Sequence, residues 1–278
     1  MSRDGAPLCP TATMFDSLYR ESPLRAALMR LLPEALAAEE IVSTASTGFL
    51  TAEVLARFEL WLGMSLGLLP PSTLGPARLL DLGCGVGRVG RRLAAALGVR
   101  LVGLDCSNAA ITEARVGVAH LMDHERPQFH VADFSSTGLP EASVSAALSL
   151  DALYLAPDPL VALAELHRIM VPSGTLVMTA YVSENQYAGT TNLLGDWRPI
   201  LSSAGFSVDR YDNQSAIWRD VMRSKHERRW AARATLRSEF GWHAEAELSV
   251  SAAMLGIGGR PSFLTQVERF EISAHRRP

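Results

Sequence analysis

Lysine is almost absent from this sequence: Lys225 is the single lysine among 26 basic residues, and the others are arginines. The phosphate-binding loop of Walker-type NTPases ends in Gly-Lys-Ser/Thr. Because Lys225 stands between Ser224 and His226, that motif cannot occur, and a Walker-type NTPase is excluded. An enzyme that works through a Schiff-base lysine is disfavoured for the same reason.

Cysteines and long apolar runs are also scarce. The three cysteines, Cys9, Cys84 and Cys106, form neither a Cys-x-x-Cys pair nor a zinc-binding spacing, so we expect no metal site and a reducing compartment. No apolar run approaches the roughly 18–20 residues that cross a bilayer, and the first residues contain no apolar segment of signal-peptide length. We therefore expect a cytoplasmic protein without a membrane partner. The net charge of −3 creates no overall field that would attract nucleic acid.

Strand and helix patterns alternate through the central part of the chain. This alternation predicts an α/β fold with a doubly wound, mostly parallel sheet built by right-handed crossovers. The final strand pattern is expected to be antiparallel, at the sheet edge or inserted near it. Seven segments have strand character: ARLLDL, RLVGLD, QFHVADF, VSAALSL, TLVMTAYV, SVDRYD and QVERFEISAHR.

The flanking segments have helical character and divide the chain into four parts. Residues 1–75 are predicted to form an N-terminal helical lid, in which Thr51 is a plausible N-cap. Residues 76–212 form the sheet-containing core. Residues 213–266 are too long for a hairpin connection and are expected to form a helical cap inserted before the last strand, residues 267–278.

The segment LLDLGCGVGRVG, residues 79–90, contains two overlapping glycine motifs. Gly85, Gly87 and Gly90 match the dinucleotide-binding pattern G-x-G-x-x-G, whereas Asp81 followed by three alternate glycines matches D-x-G-x-G-x-G. Both place a helix N-terminus against a ligand. An acid two residues before the first glycine suits a ligand with an ammonium and a sulfonium better than a diphosphate. We therefore interpret Gly90 as a packing residue inside the helix.

Acidic residues also end the next two predicted strands. Asp105 closes the second strand, where a carboxylate can accept hydrogen bonds from both ribose hydroxyls, a feature of NAD and S-adenosylmethionine sites alike. Asp133 closes the third, where it can accept from an adenine amino group while Phe134 packs beside the base. A loop, an acid and an acid–aromatic pair at three successive strand ends predict an adenosyl ligand.

Residues 79–182 resemble the class I (Rossmann-like) S-adenosylmethionine-dependent methyltransferases, and most closely their bacterial small-molecule, natural-product branch. The resemblance rests on LLDLGCGVG, VGLDCS, VADFSSTGLP, ALSLDALYLAPD and ELHRIMVPSGTLVMT, with Ser173 where the family usually has glycine. It implies S-adenosylmethionine as cofactor and S-adenosylhomocysteine as product. The cofactor-binding residues that it implies are Asp81, Gly83, Cys84, Gly85, Asp105, Cys106, Asp133, Phe134 and Leu150.

The methyl acceptor is expected to bind near the carboxyl ends of the strands. Methyl transfer from a sulfonium is an in-line displacement, so proximity supplies most of the catalysis, and a base is needed only for some acceptors. Tyr154 is the foremost catalytic candidate, followed by Asp151 and Tyr19. Phe15, Tyr181, Trp197 and Trp218 are the predicted acceptor contacts. The function predicted is methylation of a small, aromatic or indole-like metabolite on oxygen, nitrogen or carbon.

Three alternatives remain open. A tRNA or other nucleic-acid methyltransferase would use the basic helix 219–237. A solvated helix face is the favoured explanation of these charges, because the whole chain is slightly acidic, and no N/D-P-P-Y/F motif follows the fourth strand. An NAD-dependent dehydrogenase is disfavoured because Val221, not tyrosine, precedes Lys225 by four residues. A ligand-sensing protein with the same fold is the third. The oligomeric state is undetermined, and a homodimer is compatible with the sequence.

Overall fold

The computed structural model describes residues 16, 24, 27, 28, 30, 31, 49–68, 77–122, 126–183 and 193–278. Its strands are β1 (Arg78–Leu82), β2 (Arg100–Asp105), β3 (Gln128–Val131), β4 (Val144–Ser149), β5 (Met170–Val182), β6 (Phe206–Asn213) and β7 (Glu268–Arg276). The helices in the described ranges are α1 (Ala52–Leu68), α2 (Arg88–Leu97), α3 (Asn108–Val116), α4 (Pro159–Ile169), α5 (Arg198–Ser203), α6 (Ser215–Ala231), α7 (Arg233–Phe240), α8 (Trp242–Leu255) and α9 (Phe263–Gln266).

The seven strands form one sheet in the order β3-β2-β1-β4-β5-β7-β6. Strands β1 to β5 are parallel, whereas β7 pairs antiparallel with both β5 and β6. The strand order reverses between β1 and β4, and ligands of open α/β sheets bind at such a switch point, outside the carboxyl ends of the strands. The predicted fold is confirmed, and the last strand lies one position inside the edge.

Side chains of each central strand point alternately to the two faces of the sheet, as the period of a strand requires. In β1, Leu79 belongs to the core cluster on one face, while Leu80 and Leu82 belong to the cluster on the other. The first cluster includes residues of α1, α2, α3 and α6, and the second includes residues of α4 and α5. Layers of helices therefore cover both faces of a buried, mostly parallel sheet.

Local sequence signals set the ends of several helices and turns. Thr51 precedes α1, and its hydroxyl oxygen accepts from the Val54 amide at 3.4 Å, as predicted for an N-cap. Helix α2 ends at Gly98 with φ +65°, and the Ser107 hydroxyl caps α3 by accepting from the Ala110 amide. Ser173, which replaces the usual glycine of its turn, has φ +63°, a conformation that favours glycine.

Helices α6 to α9 lie between β6 and β7 in the chain, where the sequence predicts a helical insertion. Leu236, Ala244 and Leu248 of these helices form a third cluster with Ala27 and Leu28 from the N-terminal part of the chain. The N-terminal part and the insertion therefore contact each other, whereas their roles as lid and cap stay predictions.

Candidate functional site

The turn between β1 and α2 is a glycine loop that crosses the end of β2. The amides of Gly83 and Cys84 both donate to the Leu104 carbonyl, at 2.8 and 3.0 Å. Gly83 has φ +77°, and a Cβ atom there would overlap the Cβ of Ala152, which follows β4. The loop thus approaches the β4 end closely, and only glycine permits this approach. The backbone of the loop after β1 and the residues that follow β4 therefore line the switch point of the sheet.

The Asp81 carboxyl lies beneath this loop and against the first turn of α2. It is buried with 3% exposure, and a Cβ on Gly90 would overlap its Oδ2. Burial and the neighbouring Asp105 raise the pKa of Asp81 to about 7, although a hydrogen bond from the Gly90 amide acts in the opposite direction. Gly90 therefore packs inside the helix. A direct contact of Asp81 with the cofactor stays a prediction.

Asp105 holds two neighbouring backbone turns together. Its Oδ2 accepts from the Gly85 amide and its Oδ1 from the Ser107 amide, both at 2.8 Å. Burial raises the pKa of Asp105, against the lowering effect of these hydrogen bonds. The Cys106 amide also hydrogen-bonds to this carboxyl. Because carboxylate oxygens have about four acceptor positions, one remains for a ribose hydroxyl.

Asp16 is a residue of this region that the sequence analysis did not identify. Its Oδ1 accepts from the Ser107 hydroxyl at 2.6 Å and from the Ala109 amide at 3.1 Å. These groups belong to the first turn of α3, where a negative charge is favoured by the helix dipole. The N-terminal part of the chain therefore reaches the predicted adenosyl site. Asp16 lies 91 residues before Ser107 and belongs to no recognisable motif, so the sequence carries no signal for this contact.

The remaining predicted cofactor residues line the same end of the sheet. The Phe134 ring lies 3.5 Å from the position that a Cβ on Gly83 would occupy, and Asp133 accepts from the Ser135 amide at 2.8 Å. The pKa of the Cys84 thiol is raised well above its usual value by burial and by Asp81 and Asp105, so this cysteine is not a nucleophile. Cys106 and Leu150, each half-buried, directly follow Asp105 and β4.

Four aromatic side chains meet beyond β4 and β5, and we call them the aromatic cluster: Tyr154, Tyr181, Trp218 and Phe263. The Tyr154 and Tyr181 rings have centroids 4.9 Å apart in an edge-to-face arrangement. Tyr181 also lies 5.2 Å from Trp218 and 6.0 Å from Phe263. The structure thus brings together three predicted residues, Tyr154, Tyr181 and Trp218, and adds Phe263 from α9.

The two tyrosines of the aromatic cluster keep their protons at neutral pH. Burial raises the pKa of Tyr181 well above its usual value, and Asp151 adds to this effect. Burial, with Tyr181 and Asp151, raises the pKa of Tyr154 well above its usual value. Both hydroxyls can therefore donate a hydrogen bond, but neither is a base at neutral pH.

Asp151 connects the aromatic cluster to a buried polar network. Its φ of +49° is in the left-handed region, and its amide donates to the Thr179 hydroxyl at 2.7 Å. The carboxylate receives three hydrogen bonds: Oδ1 accepts from the Thr179 hydroxyl at 2.8 Å and from Arg269 Nη2 at 3.0 Å, and Oδ2 accepts from the Phe49 amide at 3.0 Å. Asp151 is thus held in one orientation.

Arg269 and Glu271 of β7 are the parts of this network that the sequence analysis missed. Arg269 is completely buried, and its Nη2 also donates to the Phe49 carbonyl at 3.0 Å. Glu271 is completely buried and accepts from Arg57 Nε at 2.8 Å. A signal was present: in ERFEIS the charged residues alternate with apolar ones, and both faces of a strand inside the sheet are buried.

Three predicted acceptor residues are not placed with the aromatic cluster. Trp197 is buried in the core cluster on the opposite face of the sheet, where its backbone amide donates to the Tyr211 hydroxyl at 3.1 Å. Its contact with an acceptor therefore lacks geometric support. Phe15 and Tyr19 lie outside the described residues.

The basic segment 219–237 does not form a continuous cationic surface. Lys225 and Arg229 are each only 1% exposed, and Arg229 Nη1 pairs with Glu247 Oε2 at 3.0 Å. Arg219 Nε donates to the Leu264 carbonyl at 2.7 Å, and Arg237 pairs with Glu245. Because these four groups are turned inward or neutralised, the segment offers few cations to phosphate groups.

A cavity of about 860 Å³ opens beyond the carboxyl ends of β5 and β6. Its lining includes Val182, Tyr211 and Arg219. Val182 and Tyr211 lie with the core cluster on the face of the sheet opposite Tyr181. The cavity has charged and aromatic walls, so it can accept a ligand of mixed polarity.

Neither a membrane-spanning helix nor a metal-binding group is found among the residues that the structure describes. Within them, no helix has the length and apolar character needed to cross a membrane. Among the same residues, His, Cys, Asp and Glu side chains form no group that could hold a metal ion.

Comparisons with known proteins agree with the geometry of the sheet end. Residues 80–178 match the family described as "Methyltransferase domain". The chain is 28% identical over 194 residues to sterol 24-C-methyltransferase of Eremothecium gossypii, covering 62% of this chain and 51% of the relative. It is 28% identical over 132 residues to 27-O-demethylrifamycin SV methyltransferase of Amycolatopsis mediterranei, covering 48% and 43%. The chain thus spans about half the length of these relatives.

A solved structure shares the whole fold. The [4+2]-cyclase SpnF superposes with a TM-score of 0.71 at 18% identity, and the match covers 98% of both chains. At this identity, the likeness shows the fold alone.

Proposed function

Since this chain belongs to the class I S-adenosylmethionine-dependent methyltransferases, we propose that it methylates a small aromatic or indole-like metabolite. The observation that carries this proposal is the aromatic cluster beside the glycine loop. Gly83 and Ala152 are in close approach, and Tyr154 follows Ala152 by two residues. An acceptor ring against Tyr154 and Trp218 would therefore lie next to the loop that binds the cofactor.

The residues present fit S-adenosylmethionine. The first turn of α2 supplies backbone amides, Asp105 offers a remaining acceptor position for a ribose hydroxyl, and Asp133 and Phe134 lie where the adenine would bind. When bound, the cofactor supplies an already activated methyl group. What the chain must add is orientation, and holding two reactants in line contributes up to about 7–11 kcal/mol.

The acceptor side of the site would orient an aromatic ring and exclude water. The edges and faces of Tyr154, Tyr181 and Trp218 provide apolar area with defined geometry. The fixed Asp151 carboxylate keeps one acceptor position on Oδ2 for a hydroxyl or N–H group of the acceptor. The relative named for a rifamycin is consistent with such an acceptor.

The test is a donor-turnover screen with hydroxyindoles, phenols, hydroxyquinones and bulk tRNA. We expect S-adenosylhomocysteine formation and a small-molecule product heavier by one methylene group. Trp218→Leu should raise the KM for the acceptor and leave S-adenosylhomocysteine affinity unchanged, because Trp218 is part of the aromatic cluster. Trp242→Leu is the matched control, since Trp242 is 77% exposed on α8 and should behave like the wild type.

Other outcomes would point to other functions. Methylated tRNA would support the nucleic-acid alternative, and a rearranged product of unchanged mass would indicate a cyclase like the structural neighbour. Cofactor binding without turnover of any acceptor would support a ligand-sensing protein. Tight NAD(H) binding would overturn the cofactor assignment.

A further inference from the structure

Asp16 contacts the first turn of α3, and only one of its two carboxyl oxygens is engaged there. Its Oδ1 accepts hydrogen bonds from the Ser107 hydroxyl at 2.6 Å and from the Ala109 amide at 3.1 Å. Among the residues that the structure describes, none donates a hydrogen bond to the other oxygen, Oδ2. Asp16 is half-buried, so it keeps an acceptor position at a partly exposed place.

Ser107 joins Asp16 to Asp105 at the carboxyl end of β2. The Ser107 hydroxyl donates to Asp16, and its amide donates to Asp105 Oδ1 at 2.8 Å. The two carboxyl groups are therefore held by one residue, and the charge of Asp16 contributes to the raised pKa of Asp105. Two carboxyl groups at the same strand end suit a ligand that brings more than one hydrogen-bond donor, because ionised carboxyl groups only accept.

The hydrogen bonds of Asp105 leave it too few acceptor positions for a whole ribose. Its carboxyl group already accepts from the amides of Gly85, Cys106 and Ser107, and a carboxylate has about four acceptor positions. One position remains, whereas the ribose of S-adenosylmethionine carries both a 2′- and a 3′-hydroxyl. The sequence-based expectation that Asp105 accepts from both hydroxyls thus lacks geometric support, and the second hydroxyl needs another partner.

We propose that Asp16 is a cofactor-binding residue whose Oδ2 accepts a hydrogen bond from one ribose hydroxyl, while Asp105 accepts from the other. The inference rests on the proposed function, because the ligand is the cofactor of that reaction. Asp16 supplies affinity and holds the ribose at the end of β2, and it takes no part in the bond changes of methyl transfer. A hydrogen bond to a charged group of this kind corresponds to about 10–100-fold in affinity.

A purely structural role of Asp16 leads to a different expectation. An anion near the start of a helix stabilises that helix, and the contacts with Ser107 and Ala109 by themselves would fulfil such a role. Loss of Asp16 would then weaken the binding of every adenosyl ligand by the same factor, whether or not the ligand carries ribose hydroxyls. The hydroxyl groups of the ligand therefore separate the two roles.

Calorimetry with three ligands is the test: S-adenosylhomocysteine and its 2′-deoxy and 3′-deoxy analogues. We expect Asp16→Ala to lower the affinity for S-adenosylhomocysteine by about 10–100-fold. For one of the deoxy analogues the same substitution should change the affinity by less than about threefold, because that ligand lacks the hydroxyl that Asp16 binds. The other analogue retains this hydroxyl and should lose as much affinity as S-adenosylhomocysteine.

Two further variants isolate the role of Oδ2. Asp16→Asn keeps an oxygen that can accept from Ser107 and Ala109, but it replaces the second oxygen by an amide group without charge. We expect it to lose about three- to tenfold in affinity for S-adenosylhomocysteine, because a neutral hydrogen bond is weaker than a charged one. Asp158→Ala is the matched control, since Asp158 also accepts two backbone amides at the start of a helix, and it should bind all three ligands like the wild type.

The outcomes distinguish this assignment from the proposed function. Equal losses of Asp16→Ala for all three ligands would overturn the assignment and leave Asp16 a role in holding α3 alone. Wild-type affinity of Asp16→Ala for S-adenosylhomocysteine would contradict it as well. If the wild type binds none of the three ligands, both the assignment and the proposed function fail. Binding of S-adenosylhomocysteine without turnover of any acceptor would contradict the proposed function alone.

Discussion

Replacing Arg269 by methionine is expected to destabilise the fold by about 3–5 kcal/mol, the usual cost of removing one partner of a buried ion pair. The Arg269 side chain is 0% exposed and the Asp151 side chain 15% exposed, with 3.0 Å between Nη2 and Oδ1. Coulomb's law with an effective dielectric constant of about 20 gives an attraction of similar size at this distance. Methionine preserves most of the apolar stem, so the loss reports mainly on charge.

Two neighbouring contacts limit how large this loss becomes. Asp151 keeps its hydrogen bonds from Thr179 and Phe49 after the substitution. Glu271 keeps Arg57, whose Nε lies 2.8 Å from Oε2. Both carboxylates therefore keep part of their stabilisation. The loss in the free energy of unfolding should not exceed about 5 kcal/mol.

Urea unfolding followed by circular dichroism is the assay. With a slope of about 3 kcal/mol per M, the midpoint should fall by roughly 1–1.7 M without a change in slope. Arg100→Met is the control, because Arg100 begins β2 and is exposed, and it should change stability by less than about 0.5 kcal/mol.

A double variant tests whether the loss comes from the ion pair. Asp151→Asn combined with Arg269→Met removes both charges, and it should be more stable than the sum of the single effects by about 1–3 kcal/mol. Additive effects would refute the coupling of the two residues. A wild-type midpoint for Arg269→Met alone would refute the argument that its charge holds Asp151.

Two further predictions concern the cofactor end of the sheet. Asp105→Ala should lower the affinity for S-adenosylhomocysteine, measured by calorimetry, by about one to two decades, because a charged hydrogen bond contributes about 1.5–3 kcal/mol. Asp158→Ala is the control and should leave the affinity unchanged. Asp158 accepts hydrogen bonds from two backbone amides at the start of α4. The folded-state pKa of Asp81 is raised from 3.8 to about 7. The stabilisation that protonated Asp81 gives to the fold is therefore complete below about pH 4 and is lost as the pH rises through about 7. Binding of a cationic cofactor should displace the Asp81 proton. Binding enthalpies of S-adenosylmethionine in two buffers near pH 6.5 should therefore reveal proton release that Asp81→Asn diminishes, and equal release by both proteins would contradict this assignment.

Much of the cofactor end could be predicted because its signals are local in sequence. A glycine loop must follow a strand and begin a helix, and the carboxyl ends of parallel strands meet at one edge of the sheet. Asp105 and Asp133 were identified by their positions after such strands. The acid at position 81, two residues before Gly83, likewise distinguishes the two overlapping glycine motifs. Gly90 packs against Asp81 inside α2, as predicted.

The acceptor side depended on contacts between distant segments. Asp151 and Arg269 are 118 residues apart, and nothing in either local pattern indicates the other. Trp197 and Trp218 looked equivalent in the sequence, yet the sheet separates them because their helices cover opposite faces. Asp16 reaches α3 from a part of the chain without any recognisable motif.

The sequence by itself determined the alternation of strands and helices, the place of the glycine loop and the acids that end the strands. These features depend on interactions between residues close in the chain, and the periodicity of apolar residues therefore indicates them. The tertiary structure alone decided the surroundings of each charge. A basic helix can be a solvated face or a buried wall, and packing of α6 against α8 and the sheet turned Lys225 and Arg229 inward. Burial then sets their protonation, because the free energy of a charge depends on the groups and solvent around it rather than on its neighbours in sequence.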